Sequence, residues 1–182
     1  MELREVQDLG NLRHKRILII GSSGAGKSTL SRKLAEQWKL PIVHLDALFW
    51  NPGWVPTPKQ AFREKIQTKL EGNEWIIDGN FDSTLALRAK YADLIIFLDF
   101  PRYLCTYRVF KRAWEYRGKT RPDMGAGCEE KIDLEFAQWV WRFPKDVRPG
   151  ILKVLREASN VDICILRNPV EVKAFIDTAP SR

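Results

Sequence analysis

Arg16-Ile-Leu-Ile-Ile-Gly-Ser-Ser-Gly-Ala-Gly-Lys-Ser-Thr-Leu30 joins an apolar run to the spacing G-x-x-x-x-G-K-[ST], which Gly21 through Ser28 fill without a mismatch. Arg16–Ile20 reads as a buried strand. Lys27–Trp38 reads as an amphipathic helix with Leu30, Leu34 and Trp38 on one stripe. A strand, a glycine-rich turn and a helix start, in that order, aim backbone amides at one point. Gly21, Gly24 and Gly26 let the backbone turn, and Ser22, Ser23, Ala25 and Thr29 supply further amides. The helix beginning near Lys27 adds free N–H groups and its positive end. Such a nest suits a string of phosphates, with Lys27 reaching the β- and γ-phosphates and the Ser28 hydroxyl on Mg²⁺. ATP or a similar nucleoside triphosphate is the expected ligand. Gly118-Lys-Thr120 imitates the motif, but the place of the first glycine holds Ala113 and a helix pattern precedes it.

Outward from this segment, short apolar runs alternate with helical patterns, as in an α/β fold with a parallel sheet covered on both faces. Strands are expected at Ile42–Leu45, Trp75–Asp78, Leu94–Asp99 and Val161–Leu166. Thr57–Leu70 reads as a helix opened by a capping box of Thr57, Pro58 and Gln60, and buried through Phe62, Ile66 and Leu70. Asp82 or Ser83 is the expected cap of the next helix. Tyr103–Tyr116 reads as a basic helix, and Arg117–Gly127, with three glycines and Pro122, as a mobile loop. Glu129–Phe143 is expected to be helical, burying Ile132, Phe136, Trp139 or Val140, and Phe143. A short helix over Pro169–Ile176 closes the chain.

The 182 residues suffice for one domain, and 45% hydrophobic with 29% charged residues is ordinary for a soluble protein. No run approaches a membrane span and Met1–Arg16 lacks the apolar stretch of a secretory signal, so a cytoplasmic location without a membrane partner is expected. Cys105, Cys128 and Cys164 form no C-x-x-C pair, which argues against a zinc site or disulfide framework. The net charge of +7 is uneven: Arg102–Arg121 holds seven basic residues and one acid, a local +6. That cluster calls for a polyanion: triphosphate, phosphorylated substrate or nucleic acid.

A phosphate cradle needs an acid on a neighbouring strand for magnesium and its waters. Asp99 follows the longest apolar run. Asp78 precedes Gly79 at a strand exit, where ligands of open α/β sheets gather. On the residues alone both stand. Asp46, near Trp50 and Trp54, is a candidate to bind the acceptor or take its hydroxyl proton, while Phe49, Trp50 and Trp54 are expected to pack together. Arg108 and Arg112, four residues apart, share a helix face that leads into Arg117 and Arg121. Arginines closing over a transferred phosphoryl group neutralise its charge, so Arg112, Arg117 and Arg121 join Lys27 as catalytic candidates.

Taken in order, the glycine loop, Asp78-Gly79, Leu98-Asp99-x-Pro101, Arg108-x-x-x-Arg112 and the arginine-bearing loop resemble the adenylate kinase and nucleoside monophosphate kinase superfamily, from about Arg16 to Leu166. More narrowly, His44-Leu-Asp-Ala-Leu-Phe-Trp50, Trp75-Ile-Ile-Asp-Gly-Asn80 and Tyr116-Arg-Gly-Lys-Thr-Arg-Pro-Asp-Met124 are similar to the bacterial DNA topology modulation (FlaR-related) group. The resemblance implies a three-layer P-loop fold over residues 1–182, a five-stranded parallel sheet ordered 2-3-1-4-5, and a lid at about 113–128. It implies Asp78 as the magnesium-side acid, Arg108 on the adenine and Arg112 on phosphate. Where adenylate kinases have Phe-Pro-Arg after Asp-Gly, this chain has Asn80-Phe81-Asp82, and Arg88 is the candidate replacement at the acceptor. The activity implied is ATP-dependent phosphoryl transfer to a small molecule, with a nucleotide among the candidate acceptors. The other reading is an ATP-switched DNA-binding regulator. It finds no helix-turn-helix, zinc or RNA-binding signature.

Overall fold

The computed structural model describes residues 14–121, 123–130 and 133–179. In chain order the elements are β1 (Arg16–Gly21), α1 (Lys27–Trp38), β2 (Ile42–His44), α2 (Leu45–Phe49), β3 (Trp50–Asn51), β4 (Val55–Pro56), α3 (Lys59–Leu70), β5 (Trp75–Asp78), α4 (Asp82–Ala89), β6 (Leu94–Leu98), α5 (Arg102–Glu115), α6 (Leu134–Asp146), α7 (Arg148–Glu157), β7 (Asp162–Leu166) and α8 (Pro169–Thr178). Among these helices none is long and apolar enough to cross a membrane.

Five parallel strands form one sheet in the order β2-β5-β1-β6-β7. β3 and β4 pair only with each other, as a small antiparallel hairpin. Without that hairpin the order is the expected 2-3-1-4-5. The central strand shows why both faces are covered. Ile17 and Ile19 pack into a core with α1, α5 and α8, while Leu18 and Ile20 pack against α3, α4 and α7. All four are fully buried, so the strand reads as a continuous apolar run rather than an alternating one. The register pairs Ile19 and His44 with Asp78, and Gly21 with Leu98. The carboxyl ends of four strands therefore meet at one edge, where open parallel sheets bind ligands.

Several local expectations are corrected. The strand after Pro41 stops at His44, and Leu45–Phe49 is a helical turn leading into the hairpin. The capping box at Thr57 does not form. Pro58 occupies the cap of α3, and Gln60 Nε2 donates to Glu64 Oε1 at 3.1 Å. Thr57 instead fastens the hairpin, its hydroxyl donating to the Leu48 carbonyl at 3.2 Å and accepting from Asn51 Nδ2 at 3.1 Å. Neither Asp82 nor Ser83 caps α4. The cap is Phe81, at φ 39°, with its ring held 4.8 Å from those of Phe49 and Phe62. The helix expected from Glu129 begins at Leu134, behind an Asp133 side chain that accepts from Phe136 N. It buries Val140 and Phe143 rather than Trp139, and Ile132 lies outside the described residues. Arg148–Glu157, where the sequence pattern offers no element, forms α7. Pro149 sits in its first turn, where no N–H is needed, and Ile151 and Leu155 are buried.

Candidate active site

The glycine loop leaves β1 and closes on the first turn of α5. Gly24 has φ 79°, and a Cβ there would stand 2.3 Å from the Cys105 carbonyl oxygen. Only glycine allows this approach, which seats the phosphate cradle directly on the helix that carries Arg108 and Arg112. Arg108 Nη1 lies 3.5 Å from the Gly24 and Ala25 carbonyls, and its guanidinium faces the Phe100 ring at 5.6 Å. Arg112 Nη1 reaches Ser23 Oγ at 3.5 Å. Lys27 Nζ donates to the Ser22 carbonyl at 3.0 Å. Burial pushes the Lys27 pKa down, against the pull of Asp46 and Asp78.

Above the loop lies a cavity of about 430 Å³, a usual size for a small-ligand site. Ser23 through Thr29 form its floor. Arg108, Phe100, Pro169 and Val172 line one part, and Asp46, Arg112, Arg121 and Asp123 also open onto it. Gly21 and Ser22, expected in the cradle, are not on the wall. The Gly21 amide points to Asn80 Oδ1 at 3.4 Å, and Ser22 is buried. Burial raises the Asp46 carboxyl above its usual range, opposed by Lys27 and Arg121.

The two candidate magnesium-side acids have different partners. Asp99 is held by Arg148, with Nε to Oδ1 at 2.8 Å and Nη2 to Oδ2 at 2.7 Å. Neither it nor Asp78 is on the cavity wall. Asp78 is buried at the end of β5, accepting from Ser31 Oγ at 3.0 Å and facing His44 Nδ1 at 2.7 Å. The Ser31 hydroxyl also lies 3.2 Å from the Ser28 carbonyl, and its bond to Asp78 ties that acid to the helix bearing the Ser28 hydroxyl. Burial works to lower the His44 pKa, but the hydrogen bond and charge of Asp78 leave it raised. A serine hydroxyl and a carboxylate offer the hard oxygen donors Mg²⁺ takes, so these residues fit that ion.

Two expected site residues lie elsewhere. Arg88 is fully buried and does not line the cavity. Its guanidinium donates to the Gly79, Asn80 and Phe81 carbonyls and to Thr84 Oγ1. Burial pushes its pKa down to about 9, with Asp82 opposing, so it stays charged at neutral pH. These carbonyls belong to a loop that turns without a glycine at Phe81, and the arginine gathers all three, the Phe81 carbonyl also accepting from Thr84 N at 3.0 Å. Arg117 is exposed and does not line the cavity.

Two acids absent from the sequence reading hold the inward arginines. Glu130, 7% exposed, contacts Arg121 Nε at 2.5 Å and Arg112 Nε at 3.5 Å. Asp123 contacts Arg121 Nη1 at 3.0 Å. Burial would raise the Asp123 pKa, but Arg121 and a hydrogen bond from Ser28 hold it below the ordinary range. The only sequence hint was their place just past the basic stretch that ends at Arg121. The backbone around them is fastened to the hairpin: Gly53 N donates to Gly127 O at 2.9 Å and Trp54 Nε1 to Glu129 O at 2.9 Å.

No protein-family model matches the chain. It is similar to shikimate kinases from two strains of Leptospira biflexa serovar Patoc, at 39% identity over 72 residues, which is 34% of this chain. The chain spans 40% of the length of these curated relatives. Among solved structures it is similar to a shikimate kinase from Acinetobacter baumannii in complex with shikimate, at TM-score 0.56 and 16% identity, covering 95% of this chain and 93% of that one. It is also similar to deoxyadenosine kinase from M. mycoides with bound dATP, at TM-score 0.55 and 16% identity, covering 88% and 95%. What the chain shares with these proteins over nearly its whole length is the P-loop kinase fold.

Proposed function

We propose that this chain is an ATP-dependent kinase that passes the γ-phosphoryl group to a hydroxyl of a small, unphosphorylated molecule. The observation that carries it is the opening of Lys27, Arg112, Arg121 and Asp46 onto one cavity above the glycine loop. In this reading the amides of Gly24–Thr29 hold the phosphates, and Arg108 with Phe100 holds the base. Ser28 and, through water, Asp78 would hold Mg²⁺, which when bound neutralises charge across the phosphates.

Asp46 takes the acceptor's hydroxyl proton as its oxygen bonds to the γ-phosphorus. The bond to the β–γ bridging oxygen breaks, and ADP leaves with that electron pair. Lys27, Arg112 and Arg121 face the charge that grows on the moving group and the leaving oxygen, a contribution of the kind worth ~10³–10⁵ in rate for one well-placed arginine. The loop bearing Arg121 is then the lid. It must release Arg112 and Arg121 from Glu130 and Asp123 before they turn to phosphate. The relatives named for shikimate and deoxyadenosine support an acceptor without a phosphate. So does Arg88, since the cation expected to hold an acceptor phosphate is engaged by backbone. The basic cluster supports a triphosphate better than DNA, because Arg108, Arg112 and Arg121 face the cavity rather than an open groove.

The test is ADP release with a panel of nucleosides, hydroxy acids, sugars and nucleoside monophosphates, using the Lys27→Ala chain as blank. Stimulation by a phosphate-free alcohol, lost in that variant, is expected. Stimulation by monophosphates alone would remove the acceptor class, and full turnover by the Lys27→Ala chain would remove the mechanism.

A further inference from the structure

Helix α5 has a second face that the cleft does not use. Tyr103, Tyr107, Phe110 and Trp114 recur at steps of four, three and four residues, which puts them on one stripe about 16 Å long. They are 68%, 64%, 39% and 72% exposed, far more than scattered surface apolar residues would explain. Neighbouring α6 adds exposed Leu134 and Trp141, and Arg102 of α5 stacks on the Trp141 ring at 4.4 Å. Arg108 and Arg112 project from the opposite side of α5, toward the glycine loop.

The order of the steps matters. Four-three-four is the seam of two packed helices, and it reads the same from either end. A second copy of α5 laid antiparallel across a two-fold axis therefore sets Tyr103 against Trp114 of the other copy, and Tyr107 against Phe110. Closed two-fold dimers bury one patch against itself in this manner. With aromatic side chains of about 200 Å², the exposed parts of this stripe and of Leu134 and Trp141 come to about 700 Å² per copy. Doubled, that lies within the ~1,200–2,000 Å² of a stable specific interface.

We propose that the α5–α6 face is where two copies of this chain pair, antiparallel and two-fold. The pairing braces the helix that carries Arg108 and Arg112 while leaving the cavity side free.

Sedimentation of the full chain from about 1 to about 100 µM tests it. A species of twice the 21.1 kDa of one chain is expected. Tyr107→Glu with Trp114→Glu should weaken the dimer at least ~100-fold, while thermal shift with ATP stays as in the parent, since neither residue lines the cavity. Under oxidation, the double variant Tyr103→Cys/Trp114→Cys should cross-link two chains. Either single variant should not, because like residues then lie about 16 Å apart. A chain that stays monomeric throughout this range overturns the proposal, and one that instead uses the stripe to bind a labelled single-stranded oligonucleotide does so as well. Efficient cross-linking by a single variant overturns the antiparallel pairing.

Discussion

Asp46 and Arg88 show how burial acts on single side chains here. The Asp46 carboxyl is raised by burial, and a base works only when ionised. If it is the base proposed above, its rate contribution is lost as pH falls through that raised value and returns as pH rises. The acid limb of kcat should lie above the ordinary carboxylate range and vanish in Asp46→Asn. That variant should lose ~10²–10⁴ in kcat with nucleotide affinity little changed, as rapid-mix and calorimetric measurements would show. A parallel loss in both would mean Asp46 merely binds.

Arg88 is a different case. Replacing it with Met takes the guanidinium away from the Gly79 and Asn80 carbonyls, while Phe81 keeps Thr84 N, and denaturant melts should show a loss of about 3–5 kcal/mol. The glycine loop could be placed from the sequence because its motif is local, and Ser23 through Ser28 do line the cavity while Gly21 and Ser22 do not. The role of Arg88 could not be read this way. What claims that side chain is a loop nine to seven residues upstream, whose conformation depends on the packing of Phe81 between Phe49 and Phe62. Asp78 and Asp99 likewise end similar apolar runs, and their partners, Ser31 and His44 for one and Arg148 for the other, leave no mark on that pattern.

Elements carry the next set of forces. Asp99 and Arg148 join the end of β6 to the start of α7. Arg148 is partly exposed, so Asp99→Asn should cost no more than about 1 kcal/mol and leave the Mg²⁺ requirement of nucleotide binding intact. Asp78→Asn should raise the Mg²⁺ concentration needed. The reverse pattern would reinstate Asp99. Glu130 holds two arginines of like charge close together, and burial followed by Arg121 already pushes the Arg112 pKa down. Glu130→Gln should speed hydrogen exchange across the loop that carries Arg121, the lid of the proposed mechanism, and tighten ATP binding a few-fold, roughly 1 kcal/mol, because two cations become available to phosphate. Unchanged exchange would show that the latch does not hold the lid. Long periodic elements such as α1 and α3 were legible within two residues. α2, the hairpin and α7 were not: the first two are too short to show a period, and Pro149 and Gly150 mask a helix start.

For the whole molecule, alternation of apolar runs with amphipathic helices was enough to arrive at the sheet and its strand order once the resemblance was added. Long-range fastening was not accessible, since it depends on pairs over seventy residues apart. Saturating ATP should stabilise the fold by about 2.7 kcal/mol at a hundredfold excess over Kd. Thermal melts should rise by about 5–10 °C, and this shift should be absent in Lys27→Ala. The bonds from Gly53 to Gly127 and from Trp54 to Glu129 join the acceptor-side hairpin to the arginine-bearing loop. Hairpin and loop thus form a single jaw. On the reading proposed above, an acceptor that displaces the hairpin beside Asp46 would carry the arginine-bearing loop with it, a coupling that a water molecule is too small to exert.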